Sequence, residues 1–297
     1  MKIGITGASG LIGQKVAALA SDRGHEIIGY SRNPDKTIPH TSKVLPITED
    51  TLAETPLDAL VHLAGESLLG IWTDIKRKSI WKSRVDLTQS IVKSISGWNP
   101  ENRPKAFLCA SGVGFYGNRD EDTLTESEPV GKGFLASLCE AWEDAAEEAT
   151  EFGARVVQLR TGVVLSERGG AFPLMRLAFS CFVGGRIGDG TQWMPWIHLD
   201  DEASLILHAI ENDQVSGPIN LSAPTPVTNA TLTTTLAKTL HRPALFPAPA
   251  PLLRVALGSL ADEVFLTSQR AIPRKAQEFG YTFKFTDLAT ALKHLAS

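Results

Sequence analysis

The chain opens with a glycine-rich turn between a predicted strand and a predicted helix, and this turn narrows the choice of fold more than any other segment. It reads Thr-Gly-Ala-Ser-Gly-Leu-Ile-Gly over residues 6–13. In such a turn the first glycine permits the tight bend, the second lets a pyrophosphate approach the backbone, and the third lets the helix pack on the strand. The helix N-terminus offers free N–H groups and a positive dipole end to the phosphates. We predict a dinucleotide site, rather than an ordinary glycine turn, with cofactor contacts from Gly7, Ser9, Gly10, Leu11 and Ile12.

Strand and helix patterns alternate through the first half of the chain. Short apolar runs separated by helical patterns are typical of βαβ units and a parallel sheet. After residue 169 this alternation loosens, and a glycine-rich loop follows at 184–195. The sequence therefore predicts an α/β fold, a Rossmann-type doubly wound parallel sheet with a smaller C-terminal α+β substrate lobe. Predicted strands cover residues 2–6, 26–31, 58–63, 106–110, 155–159, 196–199, 218–221 and 281–285.

The predicted domain division follows this change of pattern. Residues 1–165 form the dinucleotide-binding Rossmann domain, and roughly residues 196–215 return to it. Residues 166–195 and 216–297 form the smaller lobe. Because no flexible linker separates the two parts, the lobe is expected to grow out of the Rossmann domain.

Composition argues against several other classes of protein. The chain has 29 Lys and Arg residues against 33 Asp and Glu residues and no basic run, so nucleic acid is not an expected partner. No apolar stretch approaches the roughly 20 residues that span a bilayer, so no membrane partner is expected either. Cys109, Cys139 and Cys181 are scattered, which fits neither a disulfide framework nor a zinc site. For the same reason we expect no bound metal. Because the sequence shows no signal peptide at its start, we expect a cytoplasmic protein.

The end of the second predicted strand bears on the choice of dinucleotide. A site that prefers NAD usually places Asp or Glu about 20 residues after the glycines, where the carboxylate binds the ribose hydroxyls. This chain has Ser31 and Arg32 there. A guanidinium pairs well with a 2′-phosphate, and a hydroxyl adds a hydrogen bond, so we predict NADP(H). The alternative is an ordinary exposed arginine after a strand.

The order of motifs along the chain resembles the extended short-chain dehydrogenase/reductases. Within that superfamily it is most similar to an atypical branch, the YfcH-like and SDR39U1-like epimerase family proteins. The resemblance covers essentially the whole chain and implies NADP(H) bound between a Rossmann domain and a smaller lobe. The motifs are TGASGLIG at 6–13, HLAGE at 62–66, ASGVGFYG at 110–117, LRTGVVL at 159–165, and the longer blocks at 184–201, 217–229 and 269–281.

The resemblance also implies cofactor contacts outside the glycine turn. Leu63, Ala64 and Gly65 follow a strand that passes beside the adenine-ribose side of the dinucleotide. Arg84 lies on the long helix where the family places a cofactor-contacting arginine, and Val164 lies where the nicotinamide is expected. Core packing is the alternative for Leu63, Ala64 and Val164, and a helix surface charge is the alternative for Arg84.

Ordinary members of this superfamily carry a Tyr-x-x-x-Lys pair, in which the lysine lowers the tyrosine pKa for proton exchange. This chain lacks the pair: the alignment places Leu135 at the tyrosine and Cys139 at the lysine. The usual serine is also displaced, with Gly112 at its position and Ser111 one residue earlier. The absence argues against ordinary tyrosine-driven chemistry, and Cys139 is more simply a small buried helix residue than a substitute acid.

Four residues remain as candidate acid–base groups: Tyr116, Glu66, Ser111 and His198. Tyr116 is the nearest phenol, with a structural role as its alternative. Glu66 follows a strand at the sheet edge where open α/β folds bind ligands, although a loop or helix-cap role is equally open. His198 precedes two aspartates and has no evident catalytic partner in the sequence.

The second glycine cluster predicts a substrate wall. Together with Glu66, the residues Gln192, Trp193 and Trp196 could line a pocket for an unknown small molecule, a nucleotide sugar or a carbonyl compound. Packing between the two lobes is the alternative. Two functions stay open on the sequence alone: an NADP(H)-dependent oxidoreductase or epimerase-like protein with unusual acid–base groups, and a non-catalytic NADP(H)-binding redox sensor or scaffold. A homodimer is a further expectation.

Overall fold

The strands and helices are given by a computed structural model that describes residues 1–35, 37–48, 51 and 55–297. The strands are β1 (Lys2–Thr6), β2 (Glu26–Ser31), β3 (Lys43–Pro46), β4 (Ala59–His62), β5 (Ala106–Gly112), β6 (Thr123–Leu124), β7 (Arg155–Thr161), β8 (Val163–Ser166), β9 (Gly169–Gly170), β10 (Trp193–Met194), β11 (Trp196–His198), β12 (Gly217–Leu221), β13 (Val227–Thr228) and β14 (Arg270–Ala271). The α-helices are α1 (Leu11–Asp22), α2 (Asp74–Trp81), α3 (Leu87–Ser96), α4 (Phe134–Glu147), α5 (Phe172–Ser180), α6 (Leu199–Glu211), α7 (Asn229–Leu240), α8 (Ala250–Leu257), α9 (Arg274–Glu278) and α10 (Leu288–Ala296). Single 3₁₀ turns lie at Pro100–Asn102, Val113–Tyr116 and Glu148–Phe152, and π-helical turns lie at Lys82–Asp86 and Ala261–Phe265.

A seven-stranded sheet forms the centre of the fold, in the order β12-β7-β5-β4-β1-β2-β3. Every neighbouring pair in it is parallel. The chain runs from β1 outward through β2 and β3, and then from β4 outward in the opposite direction. Strand order therefore reverses between β1 and β4, and open α/β sheets bind ligands beyond the carboxyl ends of the strands at such a reversal. The predicted α/β, doubly wound parallel fold is confirmed.

Apolar residues cover both faces of this sheet. On one face, α1 and α6 pack against the buried strand residues, with Val16, Ala20 and Ile206 fully covered. On the other face, α3 and α4 contribute Ile91 and Leu138 to a second cluster. A third cluster holds the C-terminal part together and includes Trp196, Phe172 and Leu292. Since strands buried on both faces must be apolar along their length, the continuous apolar runs in the sequence agree with this layered arrangement.

Two details differ from the sequence prediction. The predicted strand at Tyr281–Phe285 is wrong, because this segment forms no strand. The carboxylate of Asp201 accepts hydrogen bonds from the backbone N–H groups of Lys284 and Phe285, both at 2.8 Å, so a side chain takes the place of a neighbouring strand. The long helix to which the sequence analysis assigns Arg84 is interrupted by the π-helical turn at Lys82–Asp86, a feature often found at functional sites.

The edge strand β12 lies inside the range 216–297 that the sequence analysis gave to the smaller lobe. It pairs with β7 along its whole length, from Gly217 opposite Val157 to Leu221 opposite Thr161, and so belongs to the central sheet. Its residues Ile219, Asn220 and Leu221 are buried. The rest of the domain division stays a prediction.

Candidate functional site

The glycine turn is pressed against the loop that follows β4. Gly7 has a φ of 72°, in the left-handed region that favours glycine, and a Cβ there would lie 2.8 Å from the carbonyl carbon of Leu63. A Cβ on Gly13 would lie 2.4 Å from the carbonyl oxygen of Gly7. Gly10, at the N-cap of α1, supplies no side-chain cap to the helix. The first N–H groups of α1 are therefore left for another acceptor at the end of β1.

The other residues of the turn lie around this helix start. The Ser9 side chain is exposed, and its carbonyl accepts a hydrogen bond from Gln14 Nε2 at 2.7 Å. Leu11 packs against Gly169 of the short strand β9, and Ile12 packs against the apolar cluster beneath α1. All five turn residues predicted as cofactor contacts thus lie at the carboxyl end of β1.

Ser31 and Arg32 lie at the carboxyl end of β2, next to the turn. The Ser31 hydroxyl accepts a hydrogen bond from the Asn33 N–H at 3.1 Å. Arg32 is exposed and forms no ion pair with the residues that the structure describes. Its positive charge is a smaller contribution to the lowered pKa of Glu66, after the hydrogen bond and charge of Lys76.

The loop after β4 carries the other residues that the resemblance assigned to the cofactor. The Leu63 N–H donates to the Thr6 carbonyl at 3.1 Å, which holds this loop against β1. The Arg84 guanidinium lies over Gly65, since a Cβ on that glycine would be 3.1 Å from Arg84 Cζ. Arg84 also lies 5.2 Å from the centre of the Trp142 ring. The π-helical turn therefore brings a half-buried cation to the end of β4, where Ala64 and Gly65 lie.

Glu66 lies among cations at this end of the sheet. Lys76 Nζ donates to Glu66 Oε1 at 2.8 Å, and the Glu66 N–H donates to Ser83 Oγ at 2.9 Å. The hydrogen bond and charge of Lys76 hold the pKa of Glu66 below its ordinary value, and Arg32 and Arg84 add smaller contributions. The carboxylate is half-buried and ionised at neutral pH, which makes it a stronger hydrogen-bond acceptor than proton donor.

Val164 lies beside the central sheet. It is half-buried in β8 and pairs with Ile197 of β11. Its carbonyl accepts from the Ala171 N–H at 3.3 Å, close to the β9 glycines that touch Leu11. Val164 therefore lies near Leu11, at the N-terminal end of α1 where the glycine turn is found.

The two residues that stand at the positions of the absent Tyr-x-x-x-Lys pair are buried in the protein. Leu135 and Cys139 are both buried in α4, and burial raises the pKa of the Cys139 thiol to about 11, so no reactive thiolate forms. The carboxylate of Glu263 accepts hydrogen bonds from the backbone N–H groups of Phe134 and Leu135, at 2.8 and 3.0 Å. A residue from the C-terminal part of the chain therefore covers the start of α4. A Cβ at Gly112 would make only ordinary van der Waals contacts, with its nearest neighbours 3.8 Å away.

Ser111 and Tyr116 belong to a buried polar network rather than to a pocket wall. The Ser111 hydroxyl donates to Glu143 Oε1 at 2.6 Å, and Glu143 accepts two hydrogen bonds from Arg160, at 2.9 and 2.8 Å. Tyr116 is 0% exposed; its hydroxyl donates to Asn220 Oδ1 at 2.7 Å and accepts from Arg160 at 3.0 Å. Burial raises the pKa of Tyr116 to about 12. The structure therefore favours the structural alternative for Tyr116 over an acid–base role: the phenol joins the turn after β5 to β12.

His198 is also a structural residue in this arrangement. It is 2% exposed, and its Nδ1 accepts a hydrogen bond from the Asp200 N–H at 3.0 Å, which caps α6. Its Nε2 lies 3.2 Å from Nδ1 of His294, and its ring stacks on Phe285 at 3.9 Å. Burial lowers the pKa of His198 to about 4, so the imidazole stays neutral at physiological pH.

The predicted pocket residues divide into two groups. Trp196 is fully buried in the C-terminal core, where its Nε1 donates to the Thr225 carbonyl at 3.0 Å. The prediction that Trp196 lines a pocket is therefore wrong. Gln192 is buried, donates to the carbonyls of Ile187 and Phe265, and lines a cavity of about 280 Å³. Trp193 is half-buried, and its Nε1 donates to Glu121 at 2.8 Å. Of the four predicted pocket residues, Gln192 alone is among those that line this cavity.

Sequence reasoning missed two residues at the site, Lys76 and Glu263. Lys76 lies one helical turn into α2, and nothing in its sequence surroundings separates it from other surface lysines. Glu263 lies 128 residues from Leu135, so only the folded chain brings them together. Among the described residues, no group of three or more His, Cys, Asp or Glu side chains is arranged to hold a metal ion, and no helix is long and apolar enough to cross a membrane.

Comparison with known proteins places this arrangement in context. The family model described as "NAD dependent epimerase/dehydratase family" matches residues 3–222, and a model described as a domain of unknown function matches residues 248–295. The epimerase family protein YfhF of Bacillus subtilis is 36% identical over 99% of this chain and 98% of its own length. The crystal structure of human epimerase family protein SDR39U1 with NADPH has a TM-score of 0.88 and 35% identity, and the match covers 100% of this chain and 99% of that one. A UDP-N-acetylglucosamine 4-epimerase from Bacillus cereus shares the fold, with a TM-score of 0.79 and 18% identity, over 100% of this chain and 98% of that one.

Proposed function

Because this chain belongs to the NAD-dependent epimerase/dehydratase family, we propose that it binds NADP(H) at the turn formed by residues 6–13. The observation that carries the proposal is the close packing of Gly7 and Gly13 around a helix start whose N-cap, Gly10, supplies no side-chain cap. A Cβ at either glycine would meet backbone atoms closer than 3.0 Å. The residues present therefore fit a pyrophosphate, because backbone N–H groups and the helix dipole are offered together.

The adenosine end of the dinucleotide is assigned to Ser31 and Arg32. An exposed guanidinium that pairs with no carboxylate in the described part of the chain is a suitable partner for a 2′-phosphate. The human relative that was solved with NADPH supports the choice of NADP(H) over NAD(H). Leu63, Ala64, Gly65, Arg84 and Val164 complete the proposed contact set.

The proposed activity is oxidoreductase-like or epimerase-like chemistry on a small molecule, such as a nucleotide sugar or a carbonyl compound. When bound, the nicotinamide supplies or accepts a hydride. Glu66 is the one predicted acid–base residue that is half-exposed at the carboxyl ends of the strands, and its role there is to orient substrate or cofactor hydroxyls by accepting hydrogen bonds. Ser111, Tyr116 and His198 are assigned positioning roles, since each is buried and already bonded to protein groups.

A second function, NADP(H) sensing without catalysis, is favoured by one specific observation. Leu135 and Cys139 are buried, and Glu263 caps the backbone at the start of their helix, so neither position that the resemblance gives to the Tyr-x-x-x-Lys pair offers an exposed proton donor. A protein that binds the dinucleotide and lacks a proton donor would report on its redox state rather than turn it over. The homodimer and the cytoplasmic location stay predictions.

One set of measurements separates these functions. The purified protein is first titrated with NADPH by ligand fluorescence, and failure to bind would refute the common proposal. Deuterium transfer from labelled NADPH is then followed by mass spectrometry with a panel of carbonyl compounds and nucleotide sugars. Deuterium transfer to any of these compounds supports the enzyme hypothesis and excludes a sensor without catalysis. Tight NADPH binding without transfer to any compound of the panel supports the sensor hypothesis. Glu66→Gln, with Glu101→Gln as an exposed control, then tests the proposed hydrogen-bond acceptor: loss of transfer or binding is expected only for the first variant.

A further inference from the structure

Eight large apolar side chains in the C-terminal half of the chain point into solvent. They come from two stretches, and each is between 52% and 86% exposed. The first stretch is α5 with the turn after it, and the second is the proline-rich segment before α8 together with α8 itself. Isolated exposed apolar residues are ordinary, but a contiguous group usually marks a binding surface. The eight residues are Leu174, Leu177, Phe182, Val183, Leu245, Phe246, Leu252 and Val255.

Backbone contacts make the two stretches one surface. The Ala248 N–H donates to the Arg186 carbonyl at 2.8 Å, and the Phe246 N–H donates to the Gly184 carbonyl at 3.4 Å. The Arg242 guanidinium lies 5.2 Å from the centre of the Phe182 ring. The helix α8 that continues this surface has no buried residue on any of its faces. Leu257 packs against the second apolar cluster, but Leu252 and Val255 on the same helix stay exposed and are expected to be covered by something else.

The charge of this surface is opposite to that of the whole chain. Residues 174–186 and 238–255 contain five basic residues and no Asp or Glu, although acidic residues outnumber basic ones in the full sequence by 33 to 29. Asp262 forms an ion pair with Arg254 at 2.9 Å, and the charge of Arg186 acts on Asp189. The other three basic residues, Arg176, Lys238 and Arg242, form no ion pair with any residue that the structure describes. We name the eight apolar and five basic residues together the basic apolar face.

We propose that the basic apolar face docks on the surface of a membrane that contains anionic lipids. Apolar side chains flanked by arginine and lysine are the composition of segments that lie in the lipid interface, where the rings and leucines enter the acyl boundary and the cations stay among the headgroups. A second copy of the chain is a poorer occupant, because a two-fold interface would place the unpaired cations of both copies opposite each other. This docking is peripheral and needs no spanning helix; it departs from the expectation of no membrane partner, which rested on spanning length alone. It is independent of the reaction that the nucleotide site performs.

Vesicle co-sedimentation tests the proposal with the full-length protein. We expect binding to vesicles of phosphatidylcholine mixed with phosphatidylglycerol, little binding to phosphatidylcholine alone, and release by added salt. Leu252→Ser/Val255→Ser should lower the partition coefficient by about tenfold or more. The matched control Leu69→Ser/Ile71→Ser removes two similarly exposed apolar residues outside the face and should bind as the unchanged protein does. Arg176→Gln/Arg242→Gln should weaken binding to the mixed vesicles, whereas Lys78→Gln/Lys93→Gln should not.

Two measurements keep the result interpretable. NADPH binding and circular dichroism show whether each variant is folded, since the substituted residues lie outside the proposed nucleotide site. Absence of binding to the mixed vesicles overturns the proposal. The same result is expected if the basic apolar face binds an acidic protein instead of a membrane. Equal loss in the test and control variants overturns it as well. Light scattering that shows a dimer dissociated by Leu252→Ser/Val255→Ser, without vesicle binding, would assign the face to a second copy instead.

Discussion

The carboxylate of Glu263 accepts a hydrogen bond from the backbone N–H of Leu135, the residue that aligns with the absent tyrosine. The bond is 3.0 Å long, and the other carboxylate oxygen accepts from the Phe134 N–H at 2.8 Å. Because α4 begins at Gly133 without a side-chain cap from its own segment, one acidic residue from the C-terminal part satisfies two free donors and complements the helix dipole. This contact ties the C-terminal part of the chain to the start of α4.

Removing this cap should destabilise the protein without abolishing its fold. Glu263→Ala leaves two helix N–H groups without their acceptor and is expected to lower the free energy of unfolding by about 1–2 kcal/mol. Urea denaturation followed by circular dichroism measures the change. Glu167→Ala, which removes an exposed carboxylate with no hydrogen bond to the described residues, serves as the control and should change stability by less than about 0.5 kcal/mol. Equal changes in the free energy of unfolding for the two variants would show that the Glu263 cap does not stabilise the protein.

The buried ion pair between Arg160 and Glu143 should behave differently when one or both partners are removed. Their side chains are 4% and 10% exposed, so Arg160→Met leaves a carboxylate buried without its countercharge. We expect this single variant to cost about 3–5 kcal/mol. The double variant Arg160→Met/Glu143→Leu should cost less than the sum of the two single variants, because no charge is left unpaired. Thermal unfolding of the four proteins measures the coupling, and additive losses would contradict it.

The glycine turn was predictable because its physical causes are local. Gly7, Gly10 and Gly13 lie within seven residues of one another, and the packing that requires them joins adjacent elements. Ser31 and Arg32 were placed correctly at the end of β2 for the same reason, since strand length and period fix where a strand ends. The parallel sheet followed from the alternation of strand and helix patterns.

The roles of Tyr116 and Trp196 could not be read from the sequence, because their partners are distant in it. Tyr116 is bonded to Asn220, 104 residues away. Trp196 enters a core completed by Leu292, almost a hundred residues later. A sequence shows that an aromatic residue or imidazole is present, but whether it faces a pocket or the interior depends on which distant element packs against it. His198, which meets His294 in the last helix, is a further example.

The choice of dinucleotide depends on Arg32. If its guanidinium binds the 2′-phosphate, Arg32→Ala should weaken NADPH binding by roughly 10- to 100-fold, as expected for a lost charge-assisted hydrogen bond. NADH lacks the 2′-phosphate, so its affinity should change little. Isothermal titration with both nucleotides measures the two effects, and Lys78→Ala provides an exposed cation as control. Similar losses of affinity for NADPH and NADH would contradict the assignment of Arg32 to the 2′-phosphate.

Glu202 should make stability depend on pH. Its side chain is fully buried, its Oε1 accepts from the Thr161 hydroxyl at 2.9 Å, and burial raises its pKa from 4.5 to about 8. Between these two pH values the folded protein keeps a proton that the unfolded chain releases. The contribution to stability is therefore complete below pH 4.5 and is lost as pH rises to about 8, by an amount on the order of 5 kcal/mol.

The variant Glu202→Gln isolates this contribution. It cannot ionise, so the fall in stability between pH 5 and pH 8 should be smaller than in the unchanged protein, while Glu167→Gln should keep the full slope. Urea denaturation at a series of pH values gives both curves. A Glu202→Gln curve parallel to that of the unchanged protein would mean that the carboxyl is already ionised in the folded state.

Gly112 stands where relatives in the wider superfamily keep a serine, and packing does not require glycine there. Its φ of −151° is open to any residue, and a Cβ would have its nearest neighbours at 3.8 Å, with the Cys139 sulfur at 3.9 Å. Gly112→Ser should therefore fold with a stability within about 0.5 kcal/mol of the unchanged protein. Gly131→Ser is the contrasting variant, because its Cβ would lie 1.9 Å from the Tyr116 carbonyl oxygen, and it should lose several kcal/mol, about 3 or more. Thermal unfolding measures both. Comparable destabilisation of the two variants would show that the space beside Gly112 is needed by the fold, whereas a stable Gly112→Ser protein would show that the absence of the serine reflects the chemistry of the site.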